Sequence, residues 1–348
     1  MSNREPSVPG ALLEWGLAQW GQGVAAEYVS CCQVAGDASN RRYYRLSIPG
    51  QSRILMHAPP ATENNPAFIG VRQLLEDNGL RVPRCDGVDL NRGYLILEDL
   101  GDSLLLDQLT VDSVAGLYGD AMRVLQNIAA VPVSHNLASY DKTLLMEEMN
   151  RFPQWFVQGL LGCQINPAAK DVFGRLSQAL LEAALDQPAV LVHRDFHSRN
   201  LMVLPDGKLA MIDFQDAVCG PVTYDLVSLL RDCYIRWPKQ QVESWAVDHK
   251  QKLIQAGLLA EVTDDDFLRW FDFMGLQRHL KVLGVFARLS LRDGKQRYLE
   301  DLPLVVYYLR EVLAQWADRD AACADFLLWF DQQLGPLISQ QAWMVEQS

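Results

Sequence analysis

The sequence is short of several features that would announce a function. None of its apolar runs is long enough to cross a bilayer, and it holds neither internal repeats nor low-complexity tracts. Its seven cysteines, at positions 31, 32, 85, 163, 219, 233 and 323, are odd in number and form no C-x-x-C pair. That removes a zinc ribbon and a dithiol redox motif from consideration. His57, His135, His249 and His279 stand alone and suggest no metal site. Positive charge is scarce: 31 Lys and Arg against 43 Asp and Glu give a formal net charge of −12, the opposite of a general nucleic-acid binder. Such acidity suits either a cationic ligand or plain solubility. The opening MSNREPSVPG has no basic segment, and the following ALLEWGLAQW carries Glu14, so it reads as an amphipathic helix and not as a signal peptide. The expectation is a soluble, cytoplasmic protein that binds neither membrane nor nucleic acid, with no obligate protein partner indicated.

What is present is ordinary globular material, 49% apolar and 21% charged, in a 348-residue chain long enough for two domains or lobes. The first hundred residues are strand-rich. CCQVAGDASNRRYYRLSI reads as strand, Gly-containing turn and strand, RILMHAPP as a third strand stopped by prolines, and GYLILEDLGD as a last strand. One helix interrupts them: NPAFIGVRQLLEDNGL has apolar residues at 68, 71, 74 and 75. Beyond residue 102 helical patterns dominate, at about 111–130, 143–160, 168–185, 225–236, 240–256, 264–292 and 303–316, around one β insertion at 189–213. The fold class is α+β, with a β-rich N-terminal lobe over 1–100, a connector near 98–102, and a mostly helical C-terminal lobe over 101–348.

The insertion holds the densest polar cluster. LVHRDFHSRNL, residues 191–201, sets two His, two Arg, an Asp and an Asn directly behind an apolar strand. Pro205-Asp206-Gly207 then separates two apolar stretches, and Asp-Gly is a strong hairpin signal. A two-residue turn at 206–207 sets Asn200 opposite Asp213, one amide and one carboxylate side by side. These are hard oxygen ligands, suited to Mg²⁺ held together with phosphates. His193-Arg194-Asp195, four residues, then Asn200 reproduces the kinase spacing H-R-D-x-x-x-x-N, and Asp213-Phe214 follows as in D-F-G. Four fixed letters at typical usage match by chance on the order of once in a million positions. The plain alternative is a polar surface hairpin. In the kinase reading Asp213 and Asn200 hold Mg²⁺ with ATP, and Asp195 orients the acceptor hydroxyl and takes its proton.

The block 191–229 resembles the aminoglycoside phosphotransferase/choline kinase-like family, and the similarity continues in AGDASNRRYYRL, LMHAPP, LILEDLGD, FPQWF and LQRHLKVLGVFARL. The resemblance implies a two-lobed protein-kinase-like fold and phosphorylation of a small molecule. Within the family these segments are most similar to the branch that phosphorylates the amino sugars N-acetylmuramate and N-acetylglucosamine at the anomeric hydroxyl, in cell-wall sugar recycling. Only eleven residues separate Asp213 from Asp225 and there is no A-P-E, which agrees with a small-molecule acceptor. Asp225 opens an apolar helix, where an N-cap is the simple role; the resemblance implies that it braces the catalytic loop.

The nucleotide side departs from the kinase pattern. GDASNRR offers one glycine, Gly36, with Asp37, Ser39 and Asn40 as further phosphate-binding candidates or as an ordinary turn. Met56 stands where kinases carry the strand-three Lys, so Arg41 or Arg42 is expected to supply the missing charge. Gln215 replaces the D-F-G glycine. Glu98 and Leu100 are the expected adenine-binding connector. For the acceptor, Arg278, Lys281 and Arg288 share one face of the 264–292 helix, either as a solvated basic stripe or as a cationic wall near the sugar. Glu148, Trp155, His197 and Asp216 are further candidate contacts. Two alternatives stay open. An aminoglycoside kinase needs an acidic acceptor site, against the basic helix. A nucleotide-binding pseudokinase fits the missing Lys but not the intact Asp195, Asn200 and Asp213.

Overall fold

The computed structural model describes residues 8–21, 23–34, 40–133 and 137–345. The chain opens with α1 (Gly10–Trp20), β1 (Ser30–Gln33), β2 (Arg42–Ile48), β3 (Gln51–His57), α2 (Asn65–Asp77), β4 (Cys85–Asp89), β5 (Tyr94–Glu98) and α3 (Leu105–Gln108). There follow α4 (Val114–Ala129), α5 (Lys142–Met149), a π-helical segment (Phe152–Leu160), α6 (Pro167–Leu185), β6 (Ala189–Val192), β7 (Leu201–Val203), β8 (Leu209–Met211) and β9 (Val218–Pro221). Then come α7 (Tyr224–Leu230), α8 (Lys239–Gln255), α9 (Asp264–Asp293), α10 (Leu302–Trp316) and α11 (Ala321–Trp329). The described residues fall into two compact units, Met1–Gln108 with Asn200–Asp216, and Leu109–Arg199 with Ala217–Ser348. No helix among them is long and apolar enough to cross a membrane.

The first unit is built on an antiparallel sheet of order β1-β2-β3-β5-β4. Strand alternation buries Tyr44 and Leu46 of β2 with Leu55, Tyr94 and Ile96, and Leu12 of α1 closes this core. Each such side chain contributes about 1.5–3 kcal/mol by leaving water. β4 was not foreseen, because CDGVD lacks the alternation of a strand; it is an edge strand with a register shift between Cys85 and Gly87. The β7–β8 hairpin belongs to this unit, with Met211 N–H donating to the Arg81 carbonyl and Val203 N–H to that of Ser103.

The hairpin corrects the expected register. Leu201 pairs with Met211, Met202 with Ala210 and Val203 with Leu209, one residue off the two-residue-turn arrangement. The loop has three residues, Pro205, Asp206 and Gly207, with Gly207 N–H bonded to the Leu204 carbonyl and Gly207 left-handed at φ 80°. This is a type I turn closed by a bulge, for which Pro at the second position and Gly at the left-handed position are suited. Ile212, not Asp213, therefore follows in register opposite Asn200, and Ile212 N–H donates to the Asn200 carbonyl.

The second unit is organised around α9, which packs on α5, the π-helical segment, α6, α7, α8 and α10. Thr263 caps α9 by accepting from Asp266 N–H, three acids fill its first turn, and left-handed Gly294 ends it. Two expected helices are shorter than their periodicity suggests. The stretch 143–160 breaks after Met149 and resumes as the π-helical segment, whose Pro153 has no N–H to continue the earlier helix. The 225–236 helix stops at Leu230, because Arg231 turns out of helical geometry and pairs with buried Asp272.

Gly284 sets how closely α9 approaches the π-helical segment: a Cβ there would lie 2.4 Å from the carbonyl carbon of Arg151 and 2.6 Å from the Phe152 nitrogen. Gly284→Ala is expected to cost about 1–3 kcal/mol, as overpacking does. Urea unfolding should show a lower midpoint with an unchanged slope.

Candidate active site

β6 runs buried through Val190, Leu191 and Val192 and delivers His193 into the loop. Arg194 then adopts φ 75°, in the left-handed region that non-glycine residues seldom occupy. Such a turn leaves backbone donors without strand partners. The buried Asp225 carboxylate accepts both, from His193 N–H at 2.6 Å and Arg194 N–H at 3.0 Å. Asp225 lies in the first turn of α7 behind the cap position held by Thr223, so its role is the brace and not the N-cap. Burial pushes its carboxyl up to about 7, against the two N–H donors. Beyond the other end of α7, buried Asp232 accepts from Ser198 N–H at 2.8 Å and from the Ser198 hydroxyl. One short apolar helix thus brackets the loop with an acid at each end.

Arg194 extends to a buried carboxylate. Glu148 on α5, with no exposed side-chain surface, pairs with Arg194 at 2.5 Å and with Lys281 of α9 at 3.2 Å. It also accepts from the Tyr140 hydroxyl and, at 3.4 Å, from Gln277. Lys281 donates to the Tyr224 hydroxyl at 2.9 Å. Burial alone would raise the Glu148 carboxyl, but Lys281 and Arg194 hold it below the ordinary carboxylate range. Burial likewise works against an ionised Asp195, and Lys281, His197, Arg278 and Arg194 together lower it. A base kept charged by surrounding cations is ready to accept a proton.

The first unit carries the other expected pair. Asn200 Nδ2 lies 3.5 Å from Asp213 Oδ2, and Gln215 donates to Asp213 Oδ1 at 2.8 Å. They meet because Asp213 takes φ 63°, which re-aims its side chain out of the strand, and not because of strand register. Phe214 packs on Phe68 of α2, with ring centroids 5.1 Å apart. The Arg41 guanidinium lies 5.7 Å from the same Phe68 ring and pairs with Glu63 at 3.2 Å. Arg41 is buried, whereas Arg42 is exposed on β2. Met56 is fully buried between Tyr43 and Leu95 of the neighbouring strands. Asn40 N–H donates to Glu63 at 3.1 Å. In the connector, Arg81 grips Glu98 in a fork at 2.6 and 2.8 Å, and Arg45 grips Asp99 at 2.7 and 3.0 Å. Among the described residues no acceptor takes the Leu100 N–H.

Other expected contacts are placed differently. Gly36, Asp37 and Ser39 lie outside the described residues. Arg278 is buried on Ser228 at 2.7 Å and Cys233 at 3.4 Å, while Arg288 has Arg151 and Arg292 as electrostatic neighbours; the three cations of α9 do not form one wall. Trp155 is half-buried on the π-helical segment and Asp216 is exposed. His197 meets Tyr234 edge-on at 5.3 Å. Sequence reasoning missed Asp232, Tyr140, Tyr224, Gln277 and Glu63. Their only signal was unusual burial of polar groups, which spacing does not reveal.

One carboxylate beside one side-chain amide, with an ionised Asp in a braced H-R-D loop, is the equipment of a phosphotransferase of the kinase-like fold. Comparison with known proteins gives the same class. The chain belongs to the phosphotransferase enzyme family, whose model matches residues 30–271. It is 42% identical to the N-acetylmuramate/N-acetylglucosamine kinase of Pseudomonas putida over 85% of this chain and 86% of that one. It is 37% identical to the kinase of the same name from Neisseria meningitidis serogroup B, over 82% and 86%. Among solved structures, choline kinase from Cryptosporidium parvum matches with a TM-score of 0.62 at 12% identity, covering 92% of this chain and 99% of that one. The choline kinase of Streptococcus pneumoniae matches at 0.60 and 17%, covering 86% and 98%. These two show the fold.

Replacing Glu148 by Gln leaves Arg194 and Lys281 buried without their shared anion, and is expected to cost about 3–5 kcal/mol at neutral pH. Because the Glu148 carboxyl is lowered in the folded state, its stabilisation is fully present above the ordinary Glu value of about 4.3 and is lost as pH falls through the lowered one. Denaturant unfolding across pH 3–7 should therefore show a shallower acid limb for Glu148→Gln than for the wild type.

Proposed function

We propose that the chain is an ATP- and Mg²⁺-dependent kinase that phosphorylates the anomeric hydroxyl of N-acetylmuramate and N-acetylglucosamine, in cytoplasmic recycling of cell-wall sugars. The observation that carries this reading is the 42% identity over most of both chains to a kinase named for those two sugars. Its physical support is the retention of Asp195, Asn200 and Asp213 in a loop and hairpin that hold them. When bound, the metal would offset phosphate charge and ATP would supply the phosphoryl group.

Asn200 and Asp213 would hold the metal through hard oxygens, with phosphate and water completing its shell. Asp195 orients the anomeric hydroxyl and accepts its proton. That hydroxyl is more acidic than an ordinary alcohol, so a single carboxylate kept ionised by Lys281 is an adequate base. Glu148, Arg278 and Lys281 act as positioning residues, while Trp155, His197 and Asp216 are assigned to the sugar. The segment Gly36, Asp37, Ser39 and Asn40 is assigned to the phosphates, and Glu98 with Leu100 to adenine through the backbone. Arg41, buried and paired with Glu63, takes over the charge of the strand-three Lys that Met56 replaces.

An ADP-release assay over N-acetylmuramate, N-acetylglucosamine, glucose, choline, homoserine and kanamycin tests the assignment. Turnover with the two amino sugars, accompanied by loss of reducing-end reactivity as C1 is capped, is expected. Turnover confined to kanamycin would refute it, and nucleotide binding without any turnover would mark a pseudokinase. Asp195→Asn should slow the reaction by about 10²–10⁴-fold while nucleotide affinity holds.

Arg41→Met should weaken ATP binding by about tenfold or more in titration calorimetry, in line with a lost charge-assisted contact. Adding Met56→Lys to that variant should restore part of the affinity. Unchanged binding by Arg41→Met would remove Arg41 from the phosphates.

A further inference from the structure

The two proposed acceptors differ by one anionic group. N-acetylmuramate is N-acetylglucosamine bearing a lactyl ether at C3, and that ether ends in a carboxylate. An enzyme that takes both needs a cation able to engage the one and stay solvated beside the other. A buried cation does not serve, since it stands desolvated whenever the carboxylate is missing.

Most cations around the catalytic loop are already committed. Arg194 and Lys281 share buried Glu148, and Arg278 is buried on Ser228 and Cys233. Arg199 is different. Its side chain is 45% exposed, and among the described residues its ion pair is a loose one, to Asp301 at 3.8 Å. Its guanidinium lies 3.6 Å over the Tyr234 ring. Stacking uses the face of the guanidinium and leaves its N–H edge for in-plane acceptors, the geometry that matches a carboxylate.

The position of Arg199 also fits. It is four residues after Asp195, a span of at most about 14 Å when fully extended, and the loop is turned instead. It occupies the middle of the 3₁₀ turn Ser198–Asn200, in which successive side chains point about 120° apart. Ser198 is used by Asp232 and Asn200 by Asp213, so Arg199 takes the third direction, onto Tyr234. His197 links the two functions: its ring meets the Tyr234 edge at 5.3 Å, and both Asp195 and Arg199 are among its electrostatic neighbours. The stacked arginine and the group proposed to receive the anomeric proton therefore share His197 as a neighbour. Asp301 is the acid near Arg199, and Glu300, Asp232 and Arg297 act on Asp301 in turn.

We infer that Arg199, seated on Tyr234, forms an anion subsite that takes the lactyl carboxylate of N-acetylmuramate and sets the preference between the two sugars. The inference rests on the amino-sugar reading above and adds to it the residue that discriminates. The test is the ratio of kcat/KM for N-acetylmuramate to kcat/KM for N-acetylglucosamine, which cancels any general disturbance of the loop. Arg199→Gln should lower that ratio by about 10–100-fold, the size of a lost charge-assisted pair. With the lactyl group neutralised as its methyl ester, the corresponding ratio should change by less than about threefold, because the partner charge is gone from the ligand. Parallel losses on both sugars, or an equal loss on the ester, would overturn the subsite while leaving the amino-sugar kinase intact. Wild-type protein that phosphorylates neither sugar would overturn both.

Discussion

A strand that ends inside a protein must hand its backbone donors to something. Here β6 ends at Val192 and the next two N–H groups go to one buried carboxylate, Asp225. That contact fixes Arg194 in its left-handed conformation, from which its guanidinium reaches Glu148 and the following residue is Asp195. Asp232 holds the far end of the same loop through Ser198. Asp225 sits in the first turn of α7 and Asp232 just beyond its end, and the residues of α7 are all buried, so the loop inherits the rigidity of a core helix. A carboxylate held in this way needs little reorganisation to accept a proton, the role proposed for Asp195.

The charges of the second unit follow one arrangement. Several cations converge on a few acids: Arg194 and Lys281 on Glu148, Arg231 on Asp272, Lys250 on Asp264. Burial raises the Asp195 carboxyl, and Lys281, His197, Arg278 and Arg194 together hold it down. A chain with a formal net charge of −12 thus places Arg194, Lys281 and Arg278 among the acids around this loop. Bulk composition left a cationic ligand and plain solubility open, and says nothing of where individual cations gather.

Much of the candidate site was legible because it is local in sequence. H-R-D-x-x-x-x-N and the Asp following the hairpin all lie within residues 193–213, and turn chemistry constrains where they go. The register was misjudged by one residue, since Pro205 extends the loop to three residues and Gly207 makes a bulge. Asn200 and Asp213 nonetheless meet, through the left-handed conformation of Asp213. The α9 face was open to two readings, a solvated basic stripe or a cationic wall, because spacing places Arg278, Lys281 and Arg288 together. Spacing does not say that Glu148, more than a hundred residues earlier, lies beside Lys281. Glu148 was therefore taken for a sugar contact when its carboxylate is occupied by four neighbours.

By itself the sequence determined the chemical inventory: the identities and short-range spacing of Asp195, Asn200 and Asp213, the α+β division of the chain, and the helical periods that form its core. These are properties of neighbouring residues and of amphipathic faces, which physical chemistry imposes before the chain is folded. Only the tertiary structure decided which acids brace the loop, which cations beside it are neutralised, and that Arg199 keeps an exposed side chain. It also decided that Arg41, and not a strand-three cation, lies buried beside Phe68 and Glu63. Those outcomes depend on contacts between distant segments, where burial sets the cost of leaving a charge alone.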